Sequence, residues 1–241
     1  MELALYDEHR SSAYTIVRGL STIFATLSFQ DVTTSNSTIV ADALARNPAL
    51  SLPPDVDPTV LAGYAAQRKI LLEEFQTPNN SVGVLFWDTA RAAQVFSLRP
   101  FSRGNLTINS TNPLAPPVID YRTATDPTDF AVIIAIFRKL RELMAAPDMA
   151  VLGPVEANPL GEGVQSDEDI IAVIRETLVV SAGHSCCSAP MQPLELGGVI
   201  DPEHNVYGVK GLRVADISYF PIMVSAGPTA TVYASGEKVS F

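Results

Sequence analysis

Residues 126–147, DPTDFAVIIAIFRKLRELMAAP, narrow the choice of fold further than any other stretch of the chain. Asp126 stands where a carboxylate accepts the free N–H groups of a helix start, and Pro127 suits the first turn because its missing N–H is not needed there. Asp129 complements the positive helix end. Phe130, Ile133, Ile134, Phe137, Leu140 and Met144 then recur at steps of three and four, which predicts one apolar face. A face of that kind must be buried against another layer. The layer lies just upstream. From Ser81 the pattern becomes "SVGVLFW", "AQVFSL", "GNLTINS" and "VIDY", short β-branched and aromatic runs separated by Gly, Arg-Pro and Asn-Pro, which read as antiparallel strands. A second covering helix is predicted from Ser166, with Asp169 three residues on and Ile170, Val173 and Ile174 facing inward, to about Val179. Four strands and two covering helices define an α+β sandwich, mainly an antiparallel sheet covered by helices.

The rest of the chain is less patterned. Residues 1–29 mix helical spacing with Ser/Thr and read as one short helix and an unassigned stretch. Helices are predicted near Thr38–Arg46, ending before Asn47-Pro48, and over about Thr59 to Phe75, after "LPPDVDP".

Composition sets limits on function. With 16 Lys and Arg against 26 Asp and Glu the formal charge is −10, which repels nucleic acid and anionic membrane surfaces. Hydrophobic residues make up 47% and mean hydropathy is +0.19, at the apolar end for a chain with no apolar run of ~20 residues to span a membrane. A mostly apolar small-molecule partner fits that balance. "MELALYDEHR" lacks a basic n-region and a long apolar run, so it does not read as a signal peptide. Two cysteines provide no disulfide framework, so a reducing, cytoplasmic setting is expected. Against this, N-x-S/T triplets occur at Asn36, Asn79, Asn105 and Asn109, and these matter only on the secretory route.

Near the end stands "VSAGHSCCSAPMQPLELGGVID", where His184 precedes Cys186 and Cys187. Three readings compete: a metal site, a thiol nucleophile, or a proton-moving histidine with the cysteines packed nearby. A zinc site needs three or four convergent ligands, and no second cluster accompanies this one. Adjacent Cα atoms lie ~3.8 Å apart, below the usual disulfide range, so packed thiols are expected instead of a bridge. A nucleophilic thiol needs a base and an orienting third group, and no third group is evident. His184 supplies an imidazole, a group that can act as acid or base at working pH when it faces a pocket. His204, between turn residues, and His9, on a charged helix end, read as surface side chains. Further on, Gly227-Pro228 opens a helix whose first N–H groups, at Thr229, Ala230 and Thr231, offer an oxyanion site. Phe86, Trp87, Phe96 and Phe101 read equally well as a pocket wall or as sheet packing, with Cys186 and Cys187 as further candidates for the pocket.

Three late segments, "HSCCSAPM", "GGVIDPEHNVYGVKGLRVADISYFP" and "ATVYASGEK", occur in an order that resembles the C-terminal end of the glucose-methanol-choline (GMC) oxidoreductases. Upstream, "RPFSRGNLTINSTNPLAPPVIDY" followed by "DP…DF" resembles the strands and helix of that family's substrate domain. The resemblance implies a substrate-binding-like portion over 1–180 and a C-terminal catalytic segment over 181–241, packed as one unit. It implies a catalytic role for His184, and FAD contacts at Asp216 and Thr231 if FAD is bound. Two departures stand out. No G-x-G-x-x-G phosphate loop occurs; "GEGVQS" at Gly161 follows a Pro-rich loop instead of a strand. Gly227 also stands where the family places a second His or Asn. The first expectation is therefore a GMC-derived protein working without a cofactor, performing a cyclisation, dehydration, isomerisation or pericyclic step on an apolar biosynthetic intermediate. The alternative is an FAD-dependent alcohol oxidoreductase whose nucleotide-binding part is supplied elsewhere. A small-molecule carrier or inactive remnant is the third. Apolar area left exposed would favour a symmetric homodimer.

Overall fold

The computed structural model describes residues 2–9, 23–87, 93–150, 153–157 and 159–240. In chain order these form α1 (Glu2–His9), β1 (Ile23–Ser28), α2 (Phe29–Val32), α3 (Asn36–Ala45), α4 (Pro58–Glu74), β2 (Ser81–Trp87), β3 (Ala93–Ser97), β4 (Asn105–Thr107), β5 (Val118–Asp120), α5 (Pro127–Met144), α6 (Pro147–Ala150), α7 (Asp167–Thr177) and α8 (Thr229–Ser240). The class is α+β with antiparallel sheets, as the strand and helix patterns predict.

The strands fall into two sheets. The larger has the order β1-β2-β3, all antiparallel, and β4 and β5 form a separate ribbon. Its β1 comes from the stretch that the sequence left unassigned. Phe24 pairs with Phe86 and Val84 with Phe96, so one face carries Phe24, Phe86 and Phe96. Strand alternation puts Gly83, Leu85 and Trp87 on the other face.

That other face meets α5. A Cβ on Gly83 would collide with Ile136 of α5, so the helix lies against the strand where a side chain is missing. Asp126 caps α5 through Thr128 N–H at 2.9 Å, and Pro127 opens it. The main core gathers Phe29, Phe75 and Phe101, with ring centroids 5.1 and 5.3 Å apart, around Leu71, Leu72, Val82 and Ile136. On its outer side α5 packs Phe130, Ile134 and Phe137 against Ile170 of α7. Ser166 caps α7, accepting from Asp169 N–H at 3.1 Å, and the helix ends at Thr177, two residues short of the predicted stop.

A buried polar cluster joins these layers. Arg68 of α4 donates to Asp126 at 2.6 Å, to the Ala43 carbonyl at 2.9 Å and to Tyr64 Oη at 3.2 Å. Ser51 and Thr128 N–H also donate to Asp126. Burial pushes the Asp126 carboxyl up, but these hydrogen bonds outweigh it and hold the group below the usual carboxylate range. Asp129 is itself buried and accepts from Phe101 N–H at 2.6 Å and Ser102 N–H at 2.9 Å. There burial prevails, and its pKa is raised.

Candidate functional site

From residue 181 onward the backbone is mostly turns, and order comes from cross-chain hydrogen bonds. Cys187 N–H donates to the Ile217 carbonyl at 3.4 Å, Ala189 N–H to Ser218 at 2.9 Å and Met191 N–H to Tyr219 at 2.8 Å. These bonds hold the His184 loop against the segment that leads into α8. The loop bends at Ser181, Gly183 and Cys187, all left-handed, with φ of 66°, 80° and 73°. Ser185 Oγ lies 2.9 Å from Ser181 Oγ and 3.0 Å from Tyr121 Oη, so hydroxyls tie the loop to the end of β5.

His184 is exposed, and its imidazole meets no partner among the described residues. The other two histidines are engaged. His9 is exposed beside Glu8, with 3.6 Å between its Nε2 and the Glu8 Oε2. His204 corrects the surface expectation: it is 2% exposed, its protonated Nδ1 donates to the Val214 carbonyl at 2.8 Å, and its ring meets Tyr219 edge-on at 4.9 Å. A buried imidazole needs such a partner, and the turn residues around it gave no sign that the loop folds inward.

Cys186 and Cys187 are joined in a disulfide and are half-buried, which corrects the expectation of packed thiols. Adjacent residues in extended backbone point their side chains apart. The left-handed Cys187 turns its sulfur back toward Cys186, so the short Cα spacing does not forbid the bridge. Alkylation of unfolded, unreduced protein should therefore leave both residues unlabelled, and prior reduction should add a label to each. Labelling without reductant would remove the bridge.

Thr229, Ala230 and Thr231 are exposed at the start of α8, and their N–H groups donate to no described acceptor. Pro228 is buried and accepts from Val232 N–H at 3.0 Å. A Cβ on Gly227 would meet nothing within 4 Å, so the missing side chain there is not a steric requirement. Asp216 acts as a turn cap, accepting from Ser218 N–H at 2.8 Å.

The aromatic candidates separate. Phe86 and Phe96 touch edge-on at 5.6 Å, and Phe24, not among the pocket candidates of the sequence, extends the ladder at 6.2 Å. All three lie on the face turned away from α5; Phe24 is 51% exposed, and Phe86 and Phe96 are half-buried. Trp87 shares the opposite face with Leu85, and Phe101 is fully buried in the core. The alternation in "IFATLS" is the signal that could have found Phe24.

Two grooves lie elsewhere. One of about 380 Å3, between α5 and α7, is lined by Phe130, Ile134, Ile171 and Arg175 among others. Another of about 210 Å3 lies among Gln30, Val40 and Phe75. Neither is lined by a candidate residue. Among the described residues, no group of three or more His, Cys, Asp or Glu is placed to hold a metal, and no helix is long and apolar enough to cross a membrane.

Comparison with known proteins places this arrangement. The family model for GMC oxidoreductase, describing the C-terminal part, matches residues 100–236. Dehydrogenase xptC of Emericella nidulans is 55% identical over 238 residues, 98% of this chain and 38% of that protein. Versicolorin B synthase stcN of the same organism is 44% identical over 147 residues, 59% of this chain and 22% of its own length. An FAD-dependent oxidoreductase from Chaetomium thermophilum superposes with a TM-score of 0.92 at 50% identity, over 99% of this chain and 41% of that one. The chain belongs to the GMC oxidoreductase family, and it spans about two fifths of the length of relatives that match it end to end.

FAD is the group the family implies. Among the described residues, the free N–H groups at the start of α8 would suit an anionic ring edge, and Asp216 keeps one carboxylate oxygen on Ser218 N–H.

Proposed function

We propose that this chain acts on a mostly apolar biosynthetic intermediate by a non-redox step that needs no flavin, most simply a cyclisation with or without loss of water. The observation that carries this reading is that His184 has an unengaged imidazole on the loop bonded to the segment leading into α8, whose first N–H groups are also free. His184 removes the proton of a substrate hydroxyl as that oxygen attacks a carbonyl carbon. The N–H groups of Thr229, Ala230 and Thr231 hold the carbonyl oxygen as it becomes negative. The proton then returns to that oxygen, which stays as a hydroxyl; where water is lost, that hydroxyl takes a second proton from the adjacent carbon, a C=C bond forming as the C–O bond breaks, and no external electron acceptor is needed. Phe24, Phe86 and Phe96 provide an apolar, half-exposed wall against which the substrate folds. Holding both ends of one molecule in reactive contact can supply up to ~7–11 kcal/mol in ideal cases. Similarity to proteins named synthases, at 40–44% identity, supports the reading.

The likeness to an FAD-dependent oxidoreductase favours a second reading, alcohol oxidation with a flavin-bearing part. One experiment separates them. The purified chain is incubated with an apolar hydroxy-ketone able to close a ring, without oxygen, with and without added FAD. Ring closure at one rate in both samples, with no visible flavin absorbance retained on the protein, is the expected result. Turnover only with FAD and an electron acceptor would sink the proposal.

A further inference from the structure

The four N-x-S/T triplets have unlike settings in the fold. Asn79 lies in the turn between α4 and β2, Asn105 opens β4, and Asn109 follows that strand. All three side chains are exposed, and their amides meet no partner among the described residues. The middle positions, Asn80, Leu106 and Ser110, include no proline. Asn36 differs in its setting. It sits in the first turn of α3, is half-buried, accepts Ser37 N–H at 2.6 Å and lines the smaller groove beside Gln30 and Phe75.

The ribbon sharpens the contrast. Asn105 pairs with Asp120 and Leu106 with Ile119, so Asn105 and Thr107 stand on one face and Leu106 and Ile119 on the other. A large branch on Asn105 would extend from the polar face into water and displace no packed group. The bridge between Cys186 and Cys187 is compatible with the secretory route.

We infer that Asn79, Asn105 and Asn109 are N-glycosylation sites, that Asn36 stays unmodified, and that the chain matures in the secretory pathway. In the transfer, the Asn side-chain nitrogen attacks the anomeric carbon of a lipid-diphosphate-linked oligosaccharide. The N–C bond forms, the C–O bond to the diphosphate breaks, and the amide proton passes to the transferase. This assignment replaces the cytoplasmic expectation and is independent of the proposed reaction.

The test uses protein isolated from the organism that makes it. It is treated with peptide N-glycosidase in heavy-oxygen water, and its peptides are weighed. Label is expected at Asn79, Asn105 and Asn109, with an intact amide at Asn36 and a drop in apparent mass on a denaturing gel. Asn105→Gln and Asn109→Gln should each remove one step of that drop. Intact amides at the three exposed sites, or label at Asn36, would overturn the inference.

Discussion

Replacing Arg68 with Met is expected to cost about 3–5 kcal/mol, a fall in Tm of roughly 6–20 °C for a chain of this size. The size of the loss follows from burial on both sides of the pair: the Arg68 side chain is 5% exposed and that of Asp126 1%. Methionine fills most of the volume and lies acceptably over the Phe101 ring, which the guanidinium now covers at 5.1 Å. What it cannot do is donate to the carboxylate, which is left with Arg46, 3.9 Å away, as its cation. Asp126 would keep its bonds from Ser51 and Thr128 N–H, while the Ala43 carbonyl and Tyr64 Oη would each lose a donor. The pH dependence distinguishes a weakened ion pair from a packing defect. In the native chain the Asp126 pKa is depressed, so its contribution is complete above the unfolded value and is lost as pH falls through the folded one. In the variant the Arg68 bond is gone while those from Ser51 and Thr128 and the more distant Arg46 guanidinium remain, so the pKa moves up toward the unfolded value and less of that stability is present at neutral pH. The difference between the two chains, measured by urea unfolding, should therefore be widest near about pH 7 and smaller at about pH 3. A deficit equal at both pH values would assign the loss to packing alone.

The same cluster shows where the chain could be read from its letters. Helix α5 was legible because cap, proline and apolar period agree within one segment, and each of those signals is local. Arg68 was not: it occupies an ordinary position in α4, and its partner, Asp126, is brought to it only by the fold. Strand β1 was missed for a related reason. Six residues, IFATLS, alternate too briefly to outweigh their surroundings, and pairing with β2 is what makes them a strand. The disulfide and His204 escaped through backbone conformation, since Cys187 and His204 both adopt the left-handed form at φ of 73° and 67° without being glycine. Nothing in a side chain's identity announces that turn. At the candidate site, motif order pointed to His184 and to the start of α8; His184 is exposed, and the first N–H groups of α8 donate to no described acceptor. It also separates the aromatic candidates, because alternation along β2 sends Phe86 and Trp87 to opposite faces.

His184→Gln should lower turnover of the hydroxy-ketone by two to four orders of magnitude, the usual worth of a positioned acid-base group. Glutamine is close in size, stays polar and can still donate or accept a hydrogen bond, but it cannot take a proton at working pH. Since His184 is exposed and has no partner among the described residues, its replacement should leave the unfolding midpoint within about 0.5 kcal/mol of the parent. A rate loss without a stability loss thus isolates chemistry from folding. Substrate binding should change little, because the aromatic ladder of Phe24, Phe86 and Phe96 belongs to the sheet. Phe86→Ala should do the reverse, raising KM while sparing kcat. If His184→Gln turned over substrate at the parental rate, the imidazole would have no part in the reaction. The free N–H groups of α8 and the shape of the sheet would then have to account for the whole acceleration.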